Sequence, residues 1–410
     1  MNIQRLQQTL QTINEFGATN YGITRLAYTQ TYKDALNYFI DLCEEEKLSV
    51  RVDSCGNVIA RREGEDPNLP VVACGSHMDT VIQGGGYDGT LGVVAALEVI
   101  RSLNEENITT KHPIELIVFA CEESTRFGVS TIGSKAMTGL LDKNALSKLK
   151  DRNGVSIQEA FEEVSLDFQK IDSVVRNPEE FKVFLELHIE QGPVLEAEKI
   201  QVGIVTGIAA PTRLRVQIKG KASHSGTTPM NSRQDALAAA AEIILAVEEA
   251  AIAETHLGTV GTVGACNVLP GAMNVIPDSV TMLIEVRGTS VESKDFVITQ
   301  LYHLFSTLEQ KRGVTITPEL LNNEKPVLLQ QEVVQSITKT CEQLRISYIE
   351  MGSGAGHDSM NMALLCPTGL IFIPCKDGLS HHPDEFTSSS EMETGVRLLK
   401  QEILHWAIEC

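Results

Sequence analysis

A chain of 410 residues is longer than one hydrophobic core usually supports, so two domains are expected. An apolar fraction of 42% and a charged fraction of 21% are those of an ordinary globular protein and exclude extensive disorder. A formal net charge of −20 argues against nucleic acid or an anionic membrane as partner, yet leaves small anions open, because a pocket can carry its own cations.

The N-terminal residues 3–15 place Leu6, Leu10 and Ile13 at helical spacing, lack a secretory leader's apolar core, and predict an amphipathic helix; a second is expected over 31–47. Apolar runs at 48–53, 71–77 and 114–120 read as buried strands, with a helix over 91–104 between the last two. That alternation predicts an α/β sheet with parallel strands, whose strand ends are where loops gather reactive groups. Residues 140–180 are polar and helix-rich. From about 207 the pattern changes: strand 213–220, helix 233–251, strands 259–270 and 280–288, helix 291–312 and strand 314–321. This order makes a compact α+β unit with an antiparallel sheet. A helix over 331–345 and a buried strand at 371–375 return to the first style. The expected architecture is thus a catalytic α/β domain with a mixed sheet, built from 1–207 and 326–410 and interrupted by an inserted α+β domain at 208–325. No run approaches the roughly 18 apolar residues of a membrane span. The nine cysteines are odd in number and show no C-x-x-C spacing, so reduced, mostly buried thiols and a cytoplasmic location are expected.

Histidines and carboxylates cluster where the apolar strands end. VVACGSHMDTV offers His77 with Asp79 two residues on, a carboxylate able to fix the tautomer of a ligating imidazole. GGGYDG places Asp88 in a glycine-rich turn just before a helix, and Glu122–Glu123 follow the strand that ends near 120. LELHIEQGPVLE adds His188, Glu190 and Gln191, and GLSHHPDEF adds His381 and His382. Taken singly, each has a plain reading: a core histidine, a simple turn, a solvated glutamate pair. GGGYDG also lacks the lysine and hydroxyl of a phosphate loop. Their coincidence at the ends of one sheet's strands points instead to a divalent metal, and mixed imidazole and carboxylate donors suit zinc, with manganese, nickel or cobalt as substitutes. His112, His256, His303 and His405 have no such neighbours and read as ordinary residues.

GSHMDTV, GGGYDG, the glutamate pair, HIEQGPVLE, HSGTTPM, SGAGHDS and GLSHHPDE occur here in one order over nearly the whole chain. In that order they resemble the amidase/hydantoinase/carbamoylase group of the aminoacylase and carboxypeptidase G superfamily. The resemblance implies two divalent metals per subunit, held by His77, Asp88 and His188 and by Asp88, Glu123 and His381, with Asp88 shared. It implies Glu122 as general base, Asp79 orienting His77, and His381 rather than His382 as the ligand. It further implies that the inserted domain is a lid and dimerisation module. There His224 supports the oxyanion, while Asn274 and Arg287 hold a substrate carboxylate; Gln191 and His357 line the same pocket. Read without the resemblance, Arg287 could simply cap a strand, and Thr227 or Thr228 near His224 could cap a helix.

The implied activity is hydrolysis of the ureido C–N bond of an N-carbamoyl-L-amino acid to amino acid, ammonia and carbon dioxide by a homodimer acting on a small carboxylate. The alternative is an allantoate amidohydrolase, against which IAAPTR at 208–213 weighs slightly. A non-catalytic binding member is a further alternative, whose signature would be a lost ligand or a lost Glu122; all are present. One departure is Ser124 in CEEST, where the group usually has glycine.

Overall fold

The computed structural model of the protein describes residues 1–409; Cys410, counted among the reduced thiols, lies outside the described residues. In chain order come α1 (Ile3–Glu15), α2 (Gln30–Glu45), β1 (Ser49–Val52), β2 (Val58–Arg62), β3 (Val71–His77), α3 (Thr90–Glu105), β4 (Ile114–Phe119), β5 (Phe181–Ile189) and β6 (Val202–Ile208). Then follow β7 (Ala210–Lys219), α4 (Ala236–Ala253), β8 (Val260–Leu269), β9 (Ser279–Gly288), α5 (Val291–Arg312) and β10 (Thr315–Asn323). The chain closes with α6 (Gln331–Leu344), β11 (Tyr348–Ser353), β12 (Thr368–Ile373) and α7 (Ser389–Leu404). It divides into two compact units: Met1–Thr206 with Leu329–Met351 and the chain from His357 onward, and Gly207–Leu328 with Gly352–Gly356.

The first unit is built on a mixed sheet in which β6, β12, β5, β3, β4, β2 and β1 lie side by side. The central strands β12, β5, β3 and β4 run parallel, while β6, β2 and β1 are antiparallel to their neighbours. β3 and β4 are buried at every position, which is why they read as unbroken apolar runs. α3 crosses the sheet with Thr90–Leu103 entirely buried. Each of its Leu, Val and Ile side chains contributes about 1.5–3 kcal/mol on burial. The helix can lie so close because of Gly92, where a Cβ would sit 2.3 Å from the Leu187 carbonyl of β5. α1 is pinned to α3 by Arg5, whose Nε and Nη2 each lie 2.8 Å from the buried Glu98 carboxylate.

The polar stretch 140–180 forms only short helical pieces, Lys143–Leu146, Ile157–Glu163 and two 3₁₀ turns. They close a small core in which Phe161 and Phe168 pack with Tyr28 and Phe127. Among the described cysteines all but Cys266 are buried, and none forms a disulfide.

The second unit is a four-stranded antiparallel sheet ordered β8, β9, β7, β10, with α4 and α5 packed on it. Its core joins Leu214, Val216 and Ile218 of β7 to Ile243 and Val247 of α4 and Leu301 and Phe305 of α5. α4 begins three residues later than the pattern suggested, because Asp235 is the cap and accepts from the Leu237 and Ala238 amides. Thr227 and Thr228 do not cap it. Thr228 instead donates to the His224 carbonyl at 2.8 Å, closing the 224–228 loop on itself. No described helix is long and apolar enough to cross a membrane.

Candidate metal centre

Four neighbouring parallel strands end on one edge of the first unit's sheet, where loops of α/β sheets form sites. β3 ends on His77, β4 runs into Glu122 and Glu123, β5 carries His188 one residue from its end, and β12 leads to the loop that bears His381. α3 begins at the same edge, so Asp88 stands just before its first residue, where the helix dipole favours negative charge. Gly89 has φ 62°, and a Cβ there would lie 2.3 Å from the His77 ring. Only glycine both takes that backbone conformation and leaves His77 room.

Asp88 is the common centre. Its Oδ1 lies 3.1 Å from His188 Nε2 and 3.5 Å from His77 Nε2, and its Oδ2 lies 3.2 Å from His381 Nε2. Glu123 Oε1 is 3.1 Å from the same His381 nitrogen. Two trios result, His77–Asp88–His188 and Asp88–Glu123–His381, and within each the donor atoms lie within 4.8 Å of one another. His382 turns away, 3.8 Å from Asp384. The imidazoles are aimed by backbone carbonyls: His77 Nδ1 is 3.0 Å from the Asp79 carbonyl, and His188 Nδ1 is 2.8 Å from that of Ile189. A carbonyl only accepts, so each Nδ1 carries a hydrogen and each Nε2 faces Asp88.

The expectation that the Asp79 carboxylate orients His77 is corrected in detail. That carboxylate is 3.7 Å from His77 Nδ1 and is taken up by the Glu122 and Glu123 amides, at 3.2 and 2.9 Å. Asp79 thus aims His77 with its main chain and clamps the glutamate turn with its side chain. Gln191 donates to Asp88 Oδ2 at 2.8 Å, as does Ser380 at 2.7 Å. Glu190, by contrast, accepts from the Val194 and Leu195 amides and caps the short helix Val194–Glu198.

The electrostatics follow from burial and crowding. Burial disfavours a charged His77, but the Asp88 bond and the nearby Glu122 and Asp79 charges outweigh it and hold its pKa well above the ordinary value. His188 rises against burial in the same way, and His381 reaches about 10 through its bonds to Asp88 and Glu123. Glu122 is raised well above the carboxylate range, first by burial and then by its acidic neighbours, against the lowering pull of His77. Burial, and then the His188 charge, keep His357 neutral; its ring stands edge-on to His188 with centroids 4.6 Å apart. A third cluster, Glu186–His188–His357, differs in kind. The Glu186 carboxylate already accepts from the Ser76 and Ser359 hydroxyls at 2.7 and 2.6 Å.

Imidazole and carboxylate donors sharing one central carboxylate fit a pair of zinc-like divalent ions. The remaining predicted residues belong to the second unit. His224 is exposed and forms an isolated bridge with Val275, while the Ser225 amide donates to the Asn274 carbonyl at 3.0 Å. Arg287, near the end of β9, donates to the Gly354 carbonyl at 2.8 Å and lies 3.2 Å from Glu285; its Nε is buried without a hydrogen-bond partner. Sequence reasoning passed over Glu385, which anchors the Asp88 loop from a distant segment.

Residues 73–405 match the model of peptidase family M20/M25/M40. An uncharacterized hydrolase of Haemophilus influenzae is 46% identical over 410 residues, covering 100% of both chains. An N-carbamoyl-L-amino acid amidohydrolase of Geobacillus stearothermophilus is 40% identical over 398 residues, covering 97% of this chain and 96% of that one. The crystal structure of an amidase of the hydantoinase/carbamoylase family from Burkholderia multivorans matches with a TM-score of 0.93 at 31% identity, covering 100% of this chain and 98% of that one. The chain belongs to peptidase family M20/M25/M40 and is a metal-dependent amidohydrolase of it.

Proposed function

We propose that the protein hydrolyses the ureido C–N bond of N-carbamoyl-L-amino acids, giving the amino acid, ammonia and carbon dioxide. The observation that carries this reading is the pair of trios sharing Asp88, with the buried Glu122 carboxylate 3.9 Å from His77. The 40% identity to the Geobacillus stearothermophilus enzyme favours the carbamoyl substrate.

His77, Asp88 and His188 would hold one ion, and Asp88, Glu123 and His381 the other, zinc being the metal that best suits these donors. When bound, such a pair supplies Lewis acidity, which acidifies water and polarises a carbonyl. Glu122 accepts the proton of the attacking water and returns it to the departing nitrogen. A carboxyl whose pKa is raised by burial takes up a proton more readily than a solvated one. Asp79 keeps that glutamate in place through the two amide bonds of the turn. His224 donates to the tetrahedral oxyanion, an interaction worth about 3–4 kcal/mol in comparable sites. Arg287 and Asn274 bind the substrate carboxylate, for which a guanidinium fork is suited. Gln191, bonded to Asp88, and His357, edge-on to His188, line the metal side of the site, where neutral His357 offers a donor without adding charge. The second unit carries the contacts of a homodimer.

Ammonia release from N-carbamoyl-L-methionine and from allantoate, measured side by side on zinc- or manganese-loaded protein, tests the reading. Turnover of the carbamoyl compound supports it. Turnover of allantoate alone reassigns the substrate, and turnover of neither contradicts the proposal.

A further inference from the structure

The loop that bears Asp88 and the loop that bears His381 are joined by a residue to which neither the motifs nor the mechanism assigns a role. Glu385 lies four residues beyond His381 and is 4% exposed. Its Oε1 accepts from the Tyr87 amide at 2.8 Å and the Asp88 amide at 2.9 Å, across 298 and 297 positions of sequence. The glycine-rich turn is shaped to admit it: a Cβ on Gly85 would lie 2.4 Å from Glu385 Cβ and 2.5 Å from its carboxyl carbon. The next residue repeats the contact, since the Phe386 ring meets the Tyr87 ring edge-on with centroids 5.9 Å apart. Ser380, on the near side of His381, donates to Asp88 Oδ2 at 2.7 Å. The two loops are therefore stapled on both flanks of His381.

We propose that Glu385 is a positioning residue that sets the shared carboxylate of Asp88 against His381, and so governs whether the second divalent ion is held. The inference rests on the proposed metal-binding role of Asp88. The physical reason is geometric. A shared carboxylate holds two ions only if both its oxygens are aimed, and its aim follows the main chain of Tyr87 and Asp88, whose two amides Glu385 fixes. A placed acceptor also keeps the buried Asp88 amide and the half-buried Tyr87 amide paired. Residues that orient ligands in this way alter metal affinity by about 10- to 100-fold when replaced.

The test is zinc titration of chelator-stripped full-length protein by calorimetry, together with hydrogen exchange at the Tyr87 and Asp88 amides before metal is added. Glu385→Leu should weaken the second zinc by about 10- to 100-fold, leave the first nearly unchanged, and abolish protection of both amides. Glu385→Gln, whose amide oxygen can still accept from both, should keep both zinc ions and the protection. Gly85→Ala, which crowds the glutamate without removing it, should reproduce the leucine variant in milder form. Unchanged affinity and protection in Glu385→Leu would overturn the inference, as would equal losses in the leucine and glutamine variants. If Glu385→Leu does not fold, Gly85→Ala decides: two zinc ions bound as tightly as in the parent would overturn it. A parent protein that binds no zinc would instead overturn the metal reading itself.

Discussion

At the scale of single residues, two adjacent glutamates divide the labour. Glu123 lies 3.1 Å from His381, whereas Glu122 sits buried beside His77 with its pKa raised. Replacing Glu122 by glutamine should leave metal content unchanged and lower kcat by about 10²- to 10⁴-fold, the usual contribution of a general base. Metal analysis together with steady-state kinetics checks this; full activity would show that the base lies elsewhere. His77, His188 and Glu123 were legible as candidates because each follows an apolar run, and Asp88 because it stands in a glycine-rich turn just before a helix. Choosing His381 over His382 needed the family pattern, and the structure brings His381 alone to Asp88 and Glu123. Two features were not legible. The tautomers of His77 and His188 are set by main-chain carbonyls, which no side-chain pattern encodes. Glu385 looks like one more acidic residue in a polar turn, because its partners lie almost three hundred positions away.

The same crowding has a pH consequence. In the metal-free protein the pKa values of His77, His188 and His381 are raised, so protons compete more strongly with an incoming ion for their ring nitrogens. Metal affinity should therefore rise with pH and level off only as His381 passes about 10. Zinc titrations from pH 6 to 9 in buffers of different ionisation enthalpy would reveal the proton release. An affinity that is flat or falls across that range would contradict the assignment of these imidazoles.

At the scale of elements, the close seat of α3 on the sheet brings Asp88 within reach of the strand ends. Gly92 permits it, since any Cβ meets the Leu187 carbonyl and the Ser76 side chain. Gly92→Val should destabilise the fold by about 1–3 kcal/mol through overpacking and forced movement of the helix. Chemical denaturation measures this, and a stability change within about 0.5 kcal/mol would show that α3 can shift freely. The long periodic helices and fully buried strands were readable from apolar spacing alone. β2, with three buried residues followed by two arginines, and β5, β6 and β11 were not among the expected strands, because polar residues or glycines interrupt each apolar run. The start of α4 was misplaced for a different reason: the cap is Asp235, while the earlier threonines serve the His224 loop.

For the whole molecule, the second unit carries an uncovered apolar face. α4 buries Ile243, Val247 and four alanines on one side, yet exposes Leu237, Ile244, Leu245 and Ile252 on the other. A helix apolar on both faces expects a partner on each. β8 is one of the two edge strands of its sheet and exposes Val260 and Leu269. The homodimer is proposed to form on this surface. The double substitution Leu245→Glu and Ile252→Glu should convert it to monomer in sedimentation experiments while the fold persists by circular dichroism. A parent protein that sediments as a monomer, or an unaltered dimer in the variant, would contradict it.

The central claim is that one aspartate is shared by two ions. Crystals of the zinc-loaded protein, measured at and below the zinc absorption edge, test it most directly. Two anomalous peaks are expected, one among His77, Asp88 and His188 and the other among Asp88, Glu123 and His381. A single peak, or peaks that leave Asp88 without a contact to both, would contradict it.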